Sequence, residues 1–223
     1  AIAVARGSGA PFIRRWWYSI RERDTNMFTL TVTGTGSFTG KLTDSLAGSG
    51  KLGLTISSGN TYVYNTANDY RGGTLLNGGY LRLGGDNVLG SGGLVATAGN
   101  ITSTSTAART YNGAFGINGN IAFGDAWANS TSPWDSNGYN VSAAGSGQGS
   151  VVFSGATTLM GSARTLTVQI DTTFSGAGIG DGGNALGFTK TGDGRMILGG
   201  TNTYTGATVI ARGTLATSGN NRL

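Results

Sequence analysis

If this chain carries out acid–base chemistry, it does so with aspartate. Its 223 residues include no histidine and no cysteine, which removes the commonest general base, the commonest transition-metal ligand and every thiolate. Glu22 is the only glutamate, which leaves nine aspartates. Most of these stand beside Gly or Asn, as in Gly85-Asp86-Asn87, Gly180-Asp181-Gly182 and Gly192-Asp193-Gly194. Asp in that company bonds nearby backbone and makes turns. No pair has a spacing that commits it to glycoside hydrolysis. A calcium cage would need a G-G-x-G-x-D unit in tandem, and Gly178-Ile179-Gly180-Asp181-Gly182-Gly183 is a single imperfect copy. No glycine-rich stretch continues into Gly-Lys-[Ser/Thr], so there is no phosphate loop. The expectation is no catalytic residue, no metal and no cofactor.

Two groups of side chains are suited to contact instead. Ile13 to Arg23 is basic and aromatic, with Arg14, Arg15, Trp16, Trp17 and Tyr18 in sequence. Alternating guanidinium and aromatic groups suit cation–π or stacking contacts. Residues 1–27 read either as a cap over one end of the fold or as a contact surface for a neighbouring chain or an anionic glycan. The second group is Trp127 and Trp134, in a polar stretch near 125–140 that reads as a protruding loop. Its aromatics either pack back on the body or offer a binding face.

These residues need a scaffold, and composition narrows what it is. Glycine supplies 42 residues and proline 2, while charged residues make up 11%, against roughly 25% in an ordinary domain. Short apolar runs recur throughout, such as Phe28-Thr29-Leu30-Thr31-Val32 and Thr165-Leu166-Thr167-Val168, so the chain has core-forming surface that a disordered one lacks. Net charge is +5, but residues 1–28 hold five Arg against Glu22 and Asp24. The long body is near neutral and offers no electrostatic track for nucleic acid. No run of about 18 apolar residues is present, which argues against a membrane-spanning helix.

The apolar runs last four to six residues, alternate with polar residues and end at Gly or Asn. That is strand texture. An internal repeat organises it. Asn68-Asp69-Tyr70-Arg71-Gly72-Gly73-Thr74-Leu75 aligns with Asn202-Thr203-Tyr204-Thr205-Gly206-Ala207-Thr208-Val209, and Gly79-Tyr80-Leu81 with Gly213-Thr214-Leu215. Upstream, Gly48-Ser49-Gly50-Lys51-Leu52-Gly53-Leu54 aligns with Gly192-Asp193-Gly194-Arg195-Met196-Ile197-Leu198, at the cost of an extra loop near Ser57 to Thr66 in the first copy. A unit too small to bury a core alone must stack on its neighbours. The fold expected is an all-β parallel β-helix (β-solenoid) over 28–223, with repeat units near 46–94 and 187–223.

The stretch from Gly187 to Leu215 resembles the autotransporter-associated β-strand repeat, through Lys190-Thr191-Gly192-Asp193-Gly194, Asn202-Thr203-Tyr204-Thr205-Gly206 and Gly213-Thr214-Leu215. The resemblance implies a right-handed β-helix from the passenger region of a bacterial surface or secreted protein. It implies an extracellular structural or adhesive module, not an enzyme, acting as stalk, matrix or filament subunit. The expected partners are other copies, end to end, and glycans or a cell surface. The alternative is a carbohydrate-active β-helix, a polysaccharide lyase or depolymerase, because carboxylates on adjacent turns of a coil can meet without being neighbours in sequence.

Overall fold

The computed structural model describes residues 3–5, 27–44, 50–125 and 148–218. Every paired strand among them is parallel to its partner. The described residues contain no helix, and the strands wind into a β-solenoid of about seven turns.

From Leu54 to Phe115 the winding steps evenly. Leu54 pairs with Thr74, Thr74 with Leu94, and Leu94 with Phe115. Each partner therefore lies 20 or 21 residues further on. A parallel strand satisfies its N–H and C=O groups only on the turns above and below, so every turn must come back to the same place. Three sides result. The first carries the column Leu54, Thr74, Leu94, Phe115, Thr157 and Ile179. The second carries Thr61, Leu81, Ile101, Phe123 and Val168. The third carries Tyr111, Phe153, Phe174 and Leu198. Residues in all three columns are buried, and alternate residues along each strand face out.

Where the sides meet, the core is aromatic. Phe115, Phe123 and Phe153 come from three sides of one turn. Their ring centroids lie 4.6 Å (Phe115–Phe153), 5.5 Å (Phe123–Phe153) and 6.5 Å (Phe115–Phe123) apart, and Phe174 stacks on Phe153 from the next turn. Large rings fill a wide triangular section that aliphatic side chains would leave void.

The structure revises the internal alignment. Leu54 pairs with Thr74 as Phe188 pairs with Thr208. Gly72 N–H donates to Leu52 O as Gly206 N–H donates to Leu186 O. One ungapped offset of 134 residues therefore relates the copies through Leu52-Gly53-Leu54 and Leu186-Gly187-Phe188. The expected loop near Ser57 to Thr66 is instead strand over Lys51–Ser58 and Asn60–Val63. The pattern misleads because each side begins with a glycine corner and then alternates apolar residues, so one side can be laid on another. The two copies also stand on different sides. Leu54 lies on the first side, whereas Phe188 pairs with Arg164 on the second. The unit is one turn long, and its second copy begins one side further round.

Close axial stacking dictates some glycines. A Cβ on Gly119 would stand 1.6 Å from Thr97 O, whereas one on Gly40 would meet nothing within 4 Å. Gly119→Ala is expected to cost about 1–3 kcal/mol as neighbouring turns are forced apart. Gly40→Ala should leave the melting temperature unchanged to within about 2 °C. Thermal unfolding of the two variants side by side checks this.

Candidate functional site

The side chains that mark the repeat bind the coil to itself. Tyr70 is fully buried, and its Oη lies 2.6 Å from Thr74 Oγ1. Tyr204 and Thr208 repeat the contact at 2.7 Å. Burial pushes both phenols above their usual pKa, so they act as neutral hydroxyls. The N-x-Y-x-G-x-T spacing is thus the reach of a Tyr hydroxyl to a Thr four residues on.

Asp44 and Asp181 form a second matched pair, which sequence alignment missed. Asp44 accepts the N–H of Leu52 (2.6 Å) and that of Arg71 (2.8 Å). Asp181 accepts the N–H of Leu186 (3.1 Å) and that of Thr205 (2.9 Å). Leu52 and Leu186, and likewise Arg71 and Thr205, are equivalent under the 134-residue offset. The aspartates precede their leucines by eight and five residues, so no fixed spacing could have revealed them. Both carboxylates are buried. Hydrogen bonds from the N–H groups of Thr205 and Gly183 hold the Asp181 carboxyl down at a pKa of about 2.

Lys190 is the third device. It stands in an inward column with Ile121, Leu166 and Ile210, and its side chain is fully buried. Its Nζ donates to the carbonyls of Gly192 (2.9 Å) and Arg212 (2.9 Å), with Thr191 O at 3.4 Å. An ammonium in a dry core needs such acceptors. Burial lowers its pKa, and Asp193 opposes that shift.

The remaining described aspartates are also engaged. Lys41 pairs with Asp69, Arg195 with Asp171 and Arg212 with Asp193, and Asp86 accepts Thr110 N–H at 2.8 Å. Among the described residues no cluster of three potential metal ligands occurs.

One polar cluster does not follow the repeat. On the outer surface of the second side the Arg82 guanidinium lies 3.2 Å from Asp125 Oδ1. Arg82 Nε also donates to Asn60 Oδ1 at 2.8 Å, and the guanidinium stands 5.6 Å and 5.2 Å from the ring centres of Tyr62 and Tyr80. Gln148 Nε2 donates to Asp125 Oδ2, and Thr102 Oγ1 donates to Gln148 Oε1 at 2.9 Å. Arg82 and Asp125 are both buried. A lone arginine in a strand gives no sequence signal for such a pair. The contact residues expected from sequence, Arg14, Arg15, Trp16, Trp17, Tyr18, Trp127 and Trp134, lie outside the described residues, as does the stretch near 125–140 beyond Asp125.

Compared with known proteins, two stretches match the passenger-associated-transport-repeat family, residues 64–83 and 188–216. They hold the two Tyr–Thr contacts and the Lys190 cradle. The chain is therefore a β-solenoid that carries two stretches similar to this passenger repeat. No curated protein and no solved structure matches it. No helix of the described residues is long and apolar enough to cross a membrane.

In this passenger repeat the devices can be tested separately. Lys190→Met keeps the apolar stem but removes the donor from two carbonyls. It is expected to cost about 1–3 kcal/mol, with faster amide exchange over Phe188–Thr191 and Thr208–Ile210. The Asp181 carboxyl has a lower pKa folded than unfolded. The stability it contributes is therefore full above about pH 4 and is lost as pH falls towards 2. The melting temperature of the parent chain should fall over that interval, and that of Asp181→Asn should fall less. Melting curves from pH 6 to 2 decide this.

Proposed function

We propose that the chain serves as an extracellular structural or adhesive module on a bacterial surface, a rigid coil acting as stalk, matrix or filament subunit. The observation that carries this reading is where the polar chemistry goes. Every aspartate among the described residues accepts a hydrogen bond or ion pair from the coil, and the most buried of them cross from one turn to another. A polysaccharide lyase or hydrolase needs carboxylates aimed at a substrate with pKa values set for proton transfer. Asp181 is instead held at a pKa of about 2 by backbone donors, a poor acid or base near neutrality.

Copies associating end to end fit the same reading. On the last described turn Val209 is 49% exposed and Ile210, in the inward column above Lys190, is 51% exposed. A parallel coil satisfies its backbone groups only on neighbouring turns, so turns of the same kind can stack along its axis. Light scattering coupled to size exclusion, with negative-stain imaging, is expected to show particles that lengthen with concentration. A strict monomer at all concentrations would remove filament from the reading and leave stalk. Incubation with a polysaccharide panel should release no sugars, and release that is lost on substituting an aspartate would overturn the structural role in favour of the enzyme.

A further inference from the structure

The Arg82 cluster stands where the regular winding is interrupted. Asp125 and Gln148 flank residues 126–147, and the two bond reciprocally. Asp125 N–H donates to Gln148 Oε1 at 3.1 Å, and Gln148 Nε2 returns a bond to Asp125 Oδ2. The turn is intact on either side of this contact. Gly124 N–H donates to Ile101 O at 2.9 Å, Gly149 N–H donates to Ser105 O at 2.6 Å, and Val151 pairs with Arg109. Arg82 and Thr102 are neighbours in register on the two turns below, and each reaches one of the flanking side chains.

We infer that Arg82, Thr102, Asp125 and Gln148 form a neck that closes the coil beneath this interruption. The coil then winds the same way whatever segment joins Asp125 to Gln148, and this corner becomes a position for carrying a guest segment on a fixed base. The physical reason is the reciprocal bond. Two chain ends joined by their own backbone and side chain, and anchored to lower turns by a buried guanidinium, do not depend on the intervening residues to define their separation. Loop-closure entropy rises only slowly with length, so segments of different size are tolerated once the neck is set.

Two sets of variants test this in the full chain. Replacing residues 126–147 by Gly-Ser-Gly should leave the melting temperature within about 3 °C of the parent and amide exchange over Ile121–Phe123 and Val151–Phe153 unchanged. Arg82→Met should lower it by roughly 10 °C, because removing one partner strands a buried carboxylate. The loss should be the same with and without residues 126–147. Arg82→Met combined with Asp125→Leu should recover part of it, which simple loss of packing would not. The neck is wrong if the Gly-Ser-Gly chain is as destabilised as Arg82→Met, or if Arg82→Met changes nothing. Should Arg82→Met fail to fold, Arg82→Lys keeps the charge but not the planar fork and should give a smaller drop, again equal in both backgrounds.

Discussion

Parallel strands that hydrogen-bond only along the axis impose one requirement on the whole molecule. Each turn must deliver the chain back to the same side in register, or the ladder of N–H and C=O groups above and below is broken. The 20-residue step from Leu54 to Thr74 to Leu94 meets it directly. Residues that serve no ladder are spent on meeting it elsewhere. Glycines such as Gly119 let turns approach to backbone contact. Asn68 accepts the N–H of Leu42 and donates to Val88 O, joining three successive turns at a corner without a strand. The Tyr–Thr contacts, the Asp44 and Asp181 clamps and the Lys190 cradle belong to the same economy, because each satisfies backbone or hydroxyl groups that the corners would otherwise leave bare.

Much of this was legible in the sequence. Strand-length apolar runs, dense glycine and the ungapped match from Asn68 to Leu81 were enough for an all-β parallel solenoid, and the Lys190 to Leu215 motifs for its likeness to the passenger repeat. The upstream half of the alignment was not legible. Glycine followed by alternating apolar residues is what every side of the coil looks like, so Gly48–Leu54 matched the wrong one. The Asp44 and Asp181 clamps escaped for a different reason. They are defined by which backbone N–H lies overhead, a fact of stacking, while their spacing to the following leucine varies. Asp181 reads in sequence as a turn former, which the bond from Gly183 N–H at 2.8 Å bears out, and the structure has it capping the turn above as well.

Arg82 and Asp125 lie 43 residues apart and belong to no motif, so nothing short of the wound coil brings them together. A buried ion pair contributes little net stability against an apolar replacement of equal shape. What it supplies is a penalty for any other arrangement of those two segments. That suits a turn whose described partners, Phe115 and Thr157, lie 42 residues apart, because a register error there would misplace every later turn.

The two repeat copies stand on different sides of the prism, one beginning with Leu54 on the first side and the other with Phe188 on the second. Equivalent outward residues of the two copies therefore differ in azimuth. A longer array built in the same way would wind any surface group around the axis like a thread on a screw instead of aligning it along one wall. Such a rod favours partners that surround it over a flat wall that meets it from one direction, because few equivalent groups can reach that wall together and avidity requires simultaneous engagement.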